Sequence, residues 1–154
     1  MSRNPRFNGT GVRTIWATLK NSGRVLILPD ELTTQAFTDA VTRISGMPAC
    51  DRVREKKRLG EIMVLAHASV YVQHGQDVFV LIDDGDGRRR ASREMEWLRR
   101  QGHKKRLTLW STRRVLQEAG RREGWIKRGL TWKQVYDQMI DYDDGLLPRS
   151  EWQK

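Results

Sequence analysis

Asp77-Val78-Phe79-Val80-Leu81-Ile82, running directly into Asp83-Asp84-Gly85-Asp86-Gly87, is the stretch that decides the fold. After Asp77 it is apolar without alternation, the pattern of a strand in a parallel sheet covered on both faces. The acidic run then falls at the carboxyl end of that strand, where open α/β sheets place their ligands. A basic helix from Arg88 to Gln101 is expected next. Gly102 and a strand around Arg106-Leu107-Thr108-Leu109-Trp110 follow it.

Outward from this unit the alternation of strand and helix continues. Gly23-Arg24-Val25-Leu26-Ile27-Leu28-Pro29 reads as a short buried strand, opened by glycine and closed by proline. From Asp30 the apolar residues Leu32, Ala36, Phe37, Ala40, Val41 and Ile44 recur at helical steps until Gly46 and Pro48. Ahead of both, Val12 to Leu19 reads as a first helix. The mixed-charge stretch from Gly46 to Arg58 is a loop or an exposed helical turn. Gly60-Glu61 opens Ile62 to Val72, which is apolar on nearly every face and predicts a buried central helix. On the far side, a helix starts at Ser111 or Thr112 and reaches Glu123. Gly124 to Gly129 breaks it, and Thr131 caps another with Trp132, Val135, Tyr136, Met139 and Ile140 on its apolar face. The tail from about residue 141 has a composition that suggests loose structure. Together these elements predict a single domain over residues 1–154, an α/β fold built as a three-layer α/β/α sandwich with a largely parallel central sheet.

The chain has 154 residues and a formal net charge of +10. Arg88 to Arg128 holds 15 Lys or Arg against four acids, so that segment carries +11 and the remainder −1. A cationic concentration of this kind favours a polyanion such as a nucleic acid, because neutralised phosphates release condensed counterions; a solvated helix face is the alternative. The single cysteine, Cys50, excludes an intrachain disulfide and a Cys/His zinc site. No apolar run approaches a membrane span and no signal-peptide core opens the sequence, so a cytoplasmic location is expected. Nucleophile-elbow, P-loop and dinucleotide-binding glycine motifs are absent, which removes those enzyme classes.

The chemistry-bearing residues are carboxylates. Asp83, Asp84 and Asp86 stand close together and repel one another unless protons or cations intervene, and hard oxygen donors suit Mg²⁺ or Mn²⁺. A polar Asp/Gly turn explains the same residues, and the spacing of a calcium-binding EF-hand is not met. Glu61 sits in the first turn of the apolar helix, where it serves either a metal or the helix N-terminus. His67, on that helix, reads as a core residue. Arg88, Arg89, Arg90, Lys104 and Lys105 are candidates for contact with a nucleic acid. Trp97, Trp110, Trp125 and Trp132 are interleaved with the cations and suit either base stacking or core packing. A basic helix-turn-helix from Arg113 onward, binding DNA, is a third reading of the same charge.

Two of these segments resemble the PIN-domain nucleases. Leu59-Gly60-Glu61-Ile62-Met63-Val64-Leu65-Ala66-His67-Ala68 resembles the Gly-Glu motif that opens a central helix in that family. Val80-Leu81-Ile82-Asp83-Asp84-Gly85-Asp86-Gly87-Arg88-Arg89-Arg90-Ala91 resembles its Asp-Asp motif, and the likeness extends over about residues 59–127. The resemblance implies a Mg²⁺- or Mn²⁺-dependent endoribonuclease, the toxin of a type II toxin-antitoxin pair of the VapC-like branch, with an antitoxin protein and a possible homodimer as partners. It implies Glu61, Asp83 and Asp84 as catalytic metal ligands, Asp86 beside them, and Arg88 and Arg89 on RNA phosphates. The chain departs from the family in its N-terminal half: the opening strand and its aspartate are not found, and their register falls upstream of Met1 or is lost. Gln35 stands where the family tends to carry a glutamate, with Asp30 and Glu31 nearby. A PIN-like module that has lost catalysis and binds RNA or protein is the alternative.

Overall fold

The computed structural model describes residues 10–29, 31–141, 143 and 145–152. It divides the chain into two compact units, Met1–Glu31 and Leu32–Lys154. In the first, α1 spans Thr10–Asn21, where the sequence predicts a helix, and ends near the αL residue Gly23. The predicted strand over residues 23–29 does not form: Arg24 to Pro29 is irregular chain. An aliphatic run becomes a strand only where a neighbouring backbone takes its N–H and C=O groups, and the described sheet contains two other strands alone.

The second unit is mixed α/β. Its order is α2 (Gln35–Ser45), α3 (Ala49–Arg52), α4 (Leu59–Gln73), β1 (Val78–Leu81), α5 (Gly85–Arg100), β2 (Leu107–Trp110), α6 (Thr112–Gly120), α7 (Trp132–Ile140) and a 3-10 turn at Arg149–Glu151. α2 begins later than the apolar periodicity suggests, because Thr34 accepts a hydrogen bond from Phe37 N at 3.2 Å and fixes the N-cap there; Asp30 lies outside the described residues. Gly46, at φ +76°, closes the helix in the left-handed conformation that a glycine adopts without strain.

α4 is the central helix. Ile62, Met63 and Ala66 pack on Phe37, Ala40 and Val41 of α2. Leu65, Ala68 and Val72 pack toward Val80 of β1 and toward Ala91 and Leu98 of α5. β1 and β2 pair in parallel, Val78 with Leu107 through Leu81 with Trp110. Their parity divides the sheet. Val80, Ile82 and Leu107 are buried under the helices, whereas Phe79 is 64% and Leu81 55% exposed on the opposite face. This corrects the expectation of a strand covered on both sides. The missing polar alternation reflects an apolar open face, with Phe79 set edge-on to Trp110 at 5.1 Å. No described helix is long and apolar enough to cross a membrane.

α6 and α7 are joined by residues 121–131, far longer than the three- or four-residue turn of a helix-turn-helix. Thr131 and Gln134 form a full capping box at the start of α7. Side chains in the described part of the tail pack on the rest of the unit. Leu146 is buried, Trp152 stacks on Trp132 at 5.8 Å, and the Tyr136 hydroxyl donates to Leu147 O at 2.9 Å.

Candidate functional site

The carboxyl end of β1 delivers its acidic residues to different neighbours. Asp83 faces α6: its carboxylate accepts from Thr112 N at 2.9 and 3.3 Å and from Thr112 Oγ1 at 2.6 Å. It thereby fastens the first turn of α6 to the end of β1. Asp84 faces α5: it is the N-cap, and its Oδ1 accepts from Asp86 N at 2.9 Å and Gly87 N at 2.8 Å. Asp86 meets three arginines, Arg58 at 2.7 Å, Arg89 at 3.1 Å and Arg90 at 3.5 Å. Burial alone would raise its pKa, but the Arg89 hydrogen bond and the charges of Arg90, Arg58 and Arg89 hold it below the usual aspartate value.

Glu61, on the first turn of α4, is different. Its Oε2 is buried and has no hydrogen-bond partner. Burial raises its pKa above the ordinary glutamate value, with Asp84 and Asp86 adding to the rise and Arg58 and Arg90 opposing it. The close approach is possible because residue 87 is glycine. A Cβ there would stand 2.8 Å from Ile82 Cγ2 and 3.3 Å from Glu61 Oε2. Gly87 therefore lets the N-terminus of α5 settle directly over the Glu61 carboxylate. That steric role is a packing fact, and the Asp/Gly pattern alone does not reveal it.

Two further residues frame this corner. Arg52 is 4% exposed, and its guanidinium donates to Glu55 O at 2.6 Å and to Lys57 O. It gathers the loop ahead of α4, which turns at Arg58 through a left-handed φ of +57°. Arg58 is thereby set against Asp86. The mixed-charge composition of residues 51–58 hides both roles, since a buried arginine and an exposed one look alike in sequence.

The donor set has the oxygen chemistry a hard cation prefers, and an unsatisfied buried carboxylate oxygen is the kind of group such a cation satisfies. In number the set is small: among the described residues no three His, Cys, Asp or Glu side chains gather into a metal-holding group. Asp83 is engaged by Thr112, Asp86 by arginines and Asp84 through Oδ1 by the α5 cap, so Glu61 with the second oxygen of Asp84 is the pair that a cation would use. Mg²⁺ commonly uses one or two carboxylates with waters and substrate phosphates, so a two-carboxylate site suits it in kind. The repulsion expected among these acids is offset in this structure largely by Arg58, Arg89 and Arg90.

The basic candidates separate as well. Arg88 is exposed, donates to Ile82 O at 3.2 Å and lines a cleft of about 340 Å³ with Asp83, Ser111, Arg113, Tyr136 and Trp152. Arg89 is exposed beside Asp86, whereas Arg90 is half-buried and donates to Ile44 O at 3.1 Å, which makes it a tie between α5 and α2. Lys104 and Lys105 lie beyond the far end of α5, Lys105 paired with Asp77 at 2.9 Å. Of the tryptophans, Trp97 packs under Arg43, Trp110 against Phe79 and Trp132 against Trp152, and Trp125 is 64% exposed. His67 stacks on Phe37 at 4.2 Å, in keeping with a core residue. Gln35 donates to Asp39 Oδ1 at 2.6 Å on the exposed side of α2. Set against family models, curated proteins and solved structures, the chain matches none.

Proposed function

We propose that the chain is a Mg²⁺- or Mn²⁺-dependent endoribonuclease of the PIN type, its helices and parallel strands being part of the three-layer sandwich that type implies. The observation that carries the reading is the buried, unpartnered Oε2 of Glu61, set among Asp84, Asp86, Arg58 and Arg90 at the carboxyl end of a parallel strand. Glu61 and Asp84 hold the cation in this reading. When bound, it supplies charge stabilisation at a phosphate and a more acidic water. Arg88 and Arg89, both exposed beside the carboxylates, bind phosphate oxygens and orient the RNA. Asp83 acts as a positioning residue through Thr112 instead of as a ligand. An antitoxin partner, a homodimer and a cytoplasmic setting rest on the resemblance alone.

The test is cleavage of RNA by the purified chain with Mn²⁺ or Mg²⁺. Wild type is expected to cut, and Glu61→Gln to lose at least about a hundredfold in rate, the scale of a lost charge-stabilising contact. A chain that cuts nothing, or a Glu61→Gln variant that cuts as well as wild type, ends this reading.

A second reading is favoured by one specific observation, the three arginines around Asp86. They neutralise the acidic corner without a metal, as expected of a PIN-like module that binds RNA or protein and no longer cleaves. Mn²⁺ binding that disappears in Glu61→Gln would count against it.

A further inference from the structure

Three depressions of the larger unit join end to end along α5. The cleft beside Arg113 and Trp152 at the carboxyl end of the sheet shares Arg88 with an open depression lined by Arg89, Arg93 and Leu109. That depression shares Ser92 with a cavity of about 570 Å³ near the start of β2. The cavity is built in two tiers. Its floor is the half-buried Met95 over the core residues Leu98 and Leu107, while Arg99, Lys104 and Arg106 are exposed on its rim.

The rim charges are not used up internally. Arg99 is tied to Glu96 and Lys105 to Asp77. Arg93, Lys104 and the Arg106 guanidinium make no ion pair within the described residues. Glu96, the acid of the cavity, is engaged by Arg99 and Arg100 at 2.7 to 2.8 Å. The groove therefore offers a net positive rim above an apolar floor.

We propose that this groove between α5 and β2 is the track for single-stranded RNA, leading from the corner at the carboxyl end of β1, where Asp83, Arg88 and Arg89 line it, past Arg93 to the Lys104–Arg106 rim. The proposal rests on the reading of that corner as an RNA site. Its physical basis is the two-tier lining. Unstacked bases gain from an apolar floor while phosphates take the cations, whereas a duplex keeps its bases stacked inside and presents phosphates alone. Arg88 to Arg99 rises about 16 Å along α5 at ~1.5 Å per residue. At ~3.4 Å per stacked nucleotide that length accommodates about five nucleotides, and fewer when stretched.

The experiment is fluorescence anisotropy of labelled RNA oligonucleotides with the full chain in EDTA, so that binding is read without cleavage. Arg93→Ala/Lys104→Ala/Arg106→Ala should weaken binding of single-stranded RNA by about tenfold or more. It should also reduce the slope of log affinity against log salt by about 2, at ~0.7 per lost phosphate contact. All three side chains are exposed, and circular dichroism verifies that the variant is folded. A charge-matched control, Arg54→Ala/Lys56→Ala/Lys57→Ala, should bind as wild type. Equal losses in both triple variants would reduce the effect to diffuse charge and overturn the track. So would duplex RNA binding as tightly as single strands, or polyglutamate competing as well as RNA. If groove-dependent binding is found but wild type does not cleave with metal, the track stands and the ribonuclease reading fails. If wild type cleaves and the groove variant binds and cleaves normally, the reverse holds.

Discussion

The contact between α4 and α5 has two acidic ends that the protein treats oppositely. At one end Glu94, 3% exposed, is fully answered: Arg43 Nη2 and Nε donate to it at 2.6 and 3.1 Å, and Ser69 Oγ donates at 2.6 Å. Arg43 in turn lies over the Trp97 ring at 3.5 Å, so α2, α4 and α5 share one network. At the other end Glu61 keeps a buried oxygen with no donor, although arginines stand nearby. A polar group that serves stability is normally satisfied within the fold, because an orphaned one costs free energy. The contrast identifies Glu94 as a structural clamp and Glu61 as an acid that the fold leaves unsatisfied.

The sharpest way to break the comparison is Arg43→Ala, which leaves the buried Glu94 charge without its cation. Loss of one partner from a buried pair costs about 3–5 kcal/mol, read as a lower urea midpoint. A loss well under 1 kcal/mol would mean that Glu94 is no clamp.

Gly87→Ala probes the opposite end. The added methyl meets Ile82 Cγ2 at 2.8 Å, an overpacking contact of about 1–3 kcal/mol. An unchanged midpoint would show that α5 has room to shift away from Glu61, and the enforced approach would lose its meaning.

The smallest effect is expected from Glu61→Gln, and it is a pH effect. Because the pKa of Glu61 is raised in the fold, the folded state holds the proton more tightly than the unfolded one. The associated stability is complete below the ordinary glutamate range and is lost as pH rises through the raised value. The variant should therefore match wild type in acid and gain on it toward neutral pH, with Mn²⁺ closing the gap by stabilising the ionised wild type. Parallel pH profiles without metal would show that the orphaned oxygen carries no electrostatic cost.

Much of the larger unit was legible in the sequence. The α4 apolar run, the β1 run, Gly46, and the Thr131 cap each carry a local signal, and each element formed where that signal stands. The expectation over residues 23–29 was not met, because a strand requires a second strand and the aliphatic run says nothing about whether one arrives. β1 was expected to be covered on both faces for a related reason: apolar character measures what a residue tolerates, while its neighbours determine what covers it. The contacts of the tail were not legible in the sequence. Its Gly, Pro and Asp content gave no hint that Trp152 would find Trp132, Tyr136 and Arg113.

By itself, the sequence determined most element types of the larger unit, the placement of Asp83, Asp84 and Asp86 at one strand end, and the concentration of cations after Arg88, since these follow from periodicity, turn chemistry and counting. Only the tertiary structure decided how the carboxylates divide: Asp83 to Thr112, Asp84 to the α5 cap, Asp86 to its arginines, and Glu61 left over. The physical reason is that hydrogen-bond satisfaction is settled by which donors come within about 3 Å, and the chain order of Asp, Gly and Arg holds no record of that distance.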